Sequence, residues 1–264
     1  MSIRSCFDLV IFDWAGTMVD FGCQAPVVAL LEAFSRRGVV LVEAEARRDM
    51  GKAKADHVRG ILAQPQVAAR WRDARGALPT SADANELMSD LGGLMRDQAA
   101  RAARLIDGAR ETVEVLRRDG VRIGSSTGYT REMMTPVLRE AAAQGYVPDH
   151  LVCSGETPAG RPTPLMIYKA CAELGIWPLS RAVKVDDAEA GIAEGRAAGC
   201  YTVGVAASGN GVGLTQIAFD ALPVTERQSR IAAARVALLA AGADIVIDTV
   251  ADLMPVLQSA SATR

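Results

Sequence analysis

The chain is 264 residues long, 50% hydrophobic and 23% charged, with a formal net charge of −2 at pH 7. It can bury the core of one large domain or two unequal ones, and its charge balance excludes both the basic footprint of a nucleic-acid binder and the polybasic stretch of a membrane-surface protein. Its five cysteines lack C-x-x-C spacing, no window approaches the roughly 18 apolar residues of a membrane span, and MSIRSCFDLVIFDW lacks the layout of a secretory signal, so a cytoplasmic protein is expected.

In chain order, the first apolar run is FDLVIFD (7–13), which stops at Asp13 and turns through Ala15, Gly16 and Thr17. From Gly22 to about Ala103 no strand pattern occurs; segments 25–38, 54–63, 66–76 and 82–98 all have helical spacing. Beyond them, short apolar runs at 121–127, 150–154, 182–187, 201–206 and 243–249 alternate with helix candidates at 109–119, 130–144, 163–174, 189–198, 225–241 and 250–259. This order predicts an α/β fold with a doubly wound, Rossmann-like parallel sheet. Residues 1–21 and 104–264 would form the core, and residues 22–103 an all-helical cap inserted after the first strand. Ligands in such sheets gather at the carboxyl ends of strands, where Asp13, Ser126, Thr127, Asp186 and Asp187 fall. Trp14, Trp71 and Trp177 are expected in packing, and His150 at the surface or capping its strand.

A carboxylate at a strand end beside a glycine turn can attack phosphorus or simply cap the next element. Three other pieces favour attack. GSSTGYT (124–130) brings hydroxyls to a neighbouring strand end. PAGRPTP (158–164) sets Arg161 at the start of a helix, where a fixed cation and a helix N-terminus both favour an anion. KVDDAEAG (184–191) ends a strand in two carboxylates able to hold a hard cation. The combination fits phosphoryl transfer.

On these motifs the chain resembles the haloacid dehalogenase superfamily and, within it, the phosphonoacetaldehyde hydrolases, or phosphonatases. DWAGT (13–17), MGKAKADHVR (50–59), TGYTREMM (127–134), PAGRP (158–162) and VKVDD (183–187) match the nucleophile, cap-lysine, second, third and fourth motifs of that family. The resemblance implies cleavage of the phosphorus–carbon bond of phosphonoacetaldehyde to acetaldehyde and inorganic phosphate, through a Schiff base on Lys54 and a phosphorylated Asp13. It implies Mg²⁺ held by Asp13, the Ala15 carbonyl and Asp187, with Asp186 as a further candidate. Thr127, Gly128, Tyr129, Arg161 and Met50 would meet the substrate, His57 would take part in proton transfer, and cap helices would join a homodimer. For Met50 and Cys23, although Met50 matches a position near the substrate, simple packing is the expected role.

Chemistry supports the resemblance at position 15. An ester hydrolase needs a second acid there to protonate a leaving oxygen, whereas cleavage of a phosphorus–carbon bond releases no alkoxide, and Ala15 suffices. A carbanion leaves only with an electron sink beside it, which a protonated imine on lysine supplies. Lys52 in GKAK is the rival of Lys54, and a functional lysine must have a lowered pKa, because the neutral amine attacks. One departure stands out: some members of the family carry a carboxylate four residues after the metal-binding Asp, where this chain has Gly191, and Gly where it has Asp186. Asp186 and Glu189 are both open as substitutes. The competing functions are a phosphatase or phosphotransferase acting on a small phosphate ester, which Ala15 and Lys54 disfavour, and a catalytically silent binding protein.

Overall fold

The computed structural model describes residues 2–263. After a single 3-10 turn at Ile3–Ser5 comes strand β1 (Leu9–Phe12), all four of whose residues are buried, as expected of a strand covered by helices on both faces. Five helices follow before alternation begins: α1 (Gln24–Ser35), α2 (Glu43–Arg47), α3 (Lys54–Leu62), α4 (Pro65–Arg75) and α5 (Ser81–Ala102). Alternation then begins with α6 (Ala109–Arg118), β2 (Arg122–Thr127), α7 (Arg131–Ala143), β3 (His150–Cys153), α8 (Leu165–Leu174), β4 (Ala182–Asp186), α9 (Glu189–Ala198) and β5 (Tyr201–Val205). The chain closes with α10 (Gln216–Asp220), α11 (Val224–Ala240), β6 (Ile245–Ile247) and α12 (Leu253–Thr263).

All six strands are parallel, in the order β3-β2-β1-β4-β5-β6. The winding reverses between β1 and β4, and that reversal leaves a crevice at the strands' carboxyl ends. Phe12 pairs with Ser125 of β2 and Val185 of β4, so the next residues along, Asp13, Ser126 and Asp186, emerge side by side at its mouth.

The helical segment packs as part of the whole. Thr80 caps α5, its hydroxyl accepting from Asp83 N while Asp83 accepts from Thr80 N, and the helix then runs 22 residues. It lies against α1 and α7, and one buried cluster runs from Phe34, Trp71 and Leu91 to Met134 of α7 and Val183 of β4. Trp14 packs against Tyr146 in a tilted contact, with centroids 5.0 Å apart. Trp177 departs from expectation: it is 80% exposed and belongs to no packed layer. Helices α2 and α10 have no counterpart in the sequence reading, since five residues are too few to display a helical period. Among the described residues no helix is long and apolar enough to cross a membrane.

Candidate active site

Asp13 leaves β1 with its backbone N–H bonded to Val185 O at 3.0 Å. Thr127 ends β2, Gly128 and Tyr129 open the loop to α7, and Asp187 follows β4. Arg161 precedes α8 rather than starting it. The residues before Pro162 and Pro164 are held out of helical conformation, so the helix begins only at Leu165, and Arg161 enters the site as a buried side chain. From the helical segment come Cys23, Met50, Gly51 and Lys54. Together these groups and Ala15 enclose a cavity of about 20 Å³, room for little more than one water. That space is too small for a substrate, so its lining must move to admit one. The two parts meet backbone to backbone at Gly128, where a Cβ would lie only 2.5 Å from Lys52 O.

Lys54 is 2% exposed and has no ion-pair partner among the described residues. Its ammonium lies 5.2 Å from the Tyr129 ring centroid. Burial lowers its pKa to about 8, with Arg161 also lowering it and Cys23 and Asp13 opposing. Lys52, by contrast, is part-exposed and paired with Asp49 at 2.5 Å, the ordinary state of a surface lysine. His57, one turn along α3 from Lys54, is fully buried; its Nε2 meets Ala46 O at 2.7 Å and Nδ1 has no partner among the described residues. Burial and the neighbouring Lys54 hold its pKa at about 3, so the ring is neutral and does not line the cavity. Tyr129 does line it, with its buried hydroxyl free of any partner among the described residues. Cys23 and Met50 line it too, while belonging to the buried core cluster as expected of packing residues.

Behind the cavity sits a buried charge network. Arg161 reaches Asp13 at 2.9 Å, Glu194 at 3.0 Å and Asp186 at 3.4 Å, and donates to Ser126 O at 2.6 Å. Lys184 pairs with Asp186 at 2.9 Å and donates to Ser126 Oγ at 2.9 Å. Burial would lower the Arg161 pKa, but Asp186, Glu194 and Asp13 outweigh it and raise it, so the guanidinium stays charged. Asp13 is raised to about 6 by burial and by Asp186, against the pull of Arg161, and Asp187 is raised further by burial and Asp13. If all were ionised together, Asp13, Asp186, Asp187 and Glu194 against Arg161 and Lys184 would leave two negative charges, as many as one divalent ion neutralises, and the raised values of Asp13 and Asp187 express the cost of crowding that charge.

The donor set fits such an ion: one carboxylate oxygen from each of Asp13, Asp186 and Asp187 lies within 4.8 Å of the others, an all-oxygen group suited to Mg²⁺. Asp187 accepts from Thr17 Oγ1 and from Asn210 N but has no cationic partner among the described residues, whereas Asp186 already carries Lys184 and Arg161 and accepts from Ala188 N. Glu189 is exposed on α9, outside the cluster. The substitution pattern has a steric basis: a Cβ on Gly191 would fall 1.9 Å from Asp186 Oδ2, so the Asp186 carboxylate fills the space a side chain at 191 would need.

Lys184 and Glu194 were not singled out from sequence. Lys184 had a signal, a lysine two residues before Asp186 in a buried strand and thus on the same face; Glu194, in an ordinary helix, had none.

A family model of haloacid dehalogenase-like hydrolases matches residues 7–199. The chain is 47% identical over 248 residues to the phosphonoacetaldehyde hydrolase of Paraburkholderia phytofirmans, covering 94% of this chain and 93% of that one. To the phosphonoacetaldehyde hydrolase of Bacillus cytotoxicus it is 43% identical over 251 residues, 95% of each. The crystal structure of a phosphonoacetaldehyde hydrolase-like protein from Oleispira antarctica superposes with a TM-score of 0.96 at 38% identity, over 97% of this chain and 93% of that one.

Proposed function

Because the chain belongs to the phosphonoacetaldehyde hydrolases of the haloacid dehalogenase-like hydrolase family, we propose that it cleaves phosphonoacetaldehyde through an imine on Lys54 and a phosphoryl group on Asp13. The observation that carries this reading is one buried, unpaired lysine with a pKa of about 8 lining the same cavity as Asp13, with Ala15 where an ester hydrolase needs its acid.

Neutral Lys54 attacks the aldehyde carbon and, with uptake of one proton, water leaves to give the protonated imine. An Asp13 oxygen then bonds to phosphorus as the carbon–phosphorus bond breaks, and its electron pair passes into the iminium to form the enamine. Protonation and hydrolysis of the enamine release acetaldehyde and restore Lys54, and water attacking the acyl phosphate releases inorganic phosphate and restores Asp13. Thr127, Gly128 and Arg161 orient the phosphonate oxygens, with the Tyr129 hydroxyl and Met50 against the aldehyde end. Mg²⁺, which Asp13, the Ala15 carbonyl and Asp187 would hold with Asp186 close by, supplies charge neutralisation at the phosphoryl group.

The test is borohydride trapping with acetaldehyde or phosphonoacetaldehyde, followed by mass mapping of the adduct. A reduced adduct on Lys54, and loss of both adduct and phosphate release in Lys54→Arg, are expected. Phosphate release from simple esters with no adduct would favour an ester phosphatase.

A further inference from the structure

The strongest feature outside this chemistry is a hydrogen-bonded chain that begins in the helical segment and ends on Asp187. Arg47, the last residue of α2, has a side chain only 12% exposed. Its Nη1 donates to Gly22 O at 2.9 Å and to Asn210 Oδ1 at 3.2 Å, and its Nη2 to Gly213 O at 2.9 Å. Asn210 answers, its Nδ2 donating to Arg47 O at 3.2 Å. The backbone N–H of the same Asn210 donates to Asp187 Oδ2 at 2.7 Å. On the other side of Arg47, Ala46 O is the acceptor for His57 Nε2, one turn from Lys54.

We propose that Arg47 and Asn210 form a latch coupling closure of the helical segment to the position of Asp187, so that the metal-holding carboxylate is set only when Lys54 is in place. Three features support it. An arginine fork satisfies several fixed acceptors at once, so the contact is made in one geometry and lost as a unit when α2 moves. The acceptors belong to both parts, Gly22 at the hinge and Asn210 and Gly213 in the loop after β5. That loop is held to the nucleophile turn as well, Ser208 Oγ donating to Gly16 O at 2.8 Å. Arg47 and Asn210 are positioning residues; neither lines the cavity.

The inference rests on the reading of Asp187 as a metal ligand, and its test is Mg²⁺ binding by calorimetry without substrate. Arg47→Ala and Asn210→Ala, the latter keeping the backbone N–H, are expected to weaken Mg²⁺ about tenfold or more, the range for partners that orient metal ligands. The double variant should be no weaker than the worse single one, because the links act in series. Arg47→Lys, which keeps the charge but not the fork, covers the case in which Arg47→Ala does not fold, and should show an intermediate loss. Unchanged Mg²⁺ affinity in folded variants whose melting temperature alone falls would reduce the contact to ordinary structural support and overturn the proposal. Wild-type protein that binds no Mg²⁺ would overturn both this inference and the metal reading. Absence of a Lys54 adduct with the affinity losses intact would defeat the imine chemistry alone.

Discussion

Arg161 and Lys54 face the same cavity, each almost wholly buried, yet they hold their charges on opposite terms. Arg161 belongs to the sheet side, where Asp13, Asp186 and Glu194 surround it and fix it as a cation. Lys54 belongs to the helical side, where among the described residues no carboxylate pairs with it and burial brings its pKa down to about 8. A buried cation that is compensated becomes a permanent charge; one left uncompensated becomes a group that can lose its proton near neutrality. The division matches the proposed labour: phosphoryl binding on the sheet side and amine chemistry on the helical side.

The largest effect should separate the two sides outright. Asp13→Asn is expected to cost on the order of 10⁶ in phosphate release while leaving the borohydride adduct on Lys54 intact. Loss of the adduct as well would mean the two sides are not independent. Next, Glu194→Ala strips a carboxylate from Arg161 and Lys184 and should cost about 3–5 kcal/mol in denaturant unfolding. A change below about 1 kcal/mol would show that Asp186 and Asp13 suffice to hold those cations.

Asp186→Gly should lower turnover and Mg²⁺ affinity about 10- to 100-fold, and adding Gly191→Asp should recover most of both, since the two positions share one space. Failure of the pair to recover would tie the role to the strand position itself. Lys54→Met, removing an uncompensated buried charge, should stabilise the fold by about 1–2 kcal/mol even as it abolishes the adduct. The smallest effect is in pH. Because the neutral amine reacts, adduct formation should rise about tenfold per unit as pH rises towards about 8 and level off above it. A plateau reached only near the ordinary lysine value would show that Lys54 is solvated in the working enzyme.

Much of this was legible in the chain order. The residue types and spacing indicated all six strands, the longer helices and the convergence of Asp13, Thr127 and Asp187, because strand ends in a parallel sheet are local features of sequence. Arg161 was found but misplaced, since two prolines delay its helix. Trp177 was misread because an isolated aromatic carries no sign of which way it faces. The paired role of Asp186 and Gly191 was visible only as a departure, and the reason for it is steric.

By itself, then, the sequence determined the alternation of elements and the residues at the crevice, because each depends on neighbours in the chain or on residue type, whereas the role proposed for Lys54 rests on a family motif and not on spacing. The tertiary structure alone decided which lysine is buried, that His57 is neutral, that Lys184 and Glu194 complete the charge network, and that Arg47 reaches Asn210. Those properties depend on desolvation and on partners up to 163 residues away along the chain, and packing brings such partners together without leaving a local pattern.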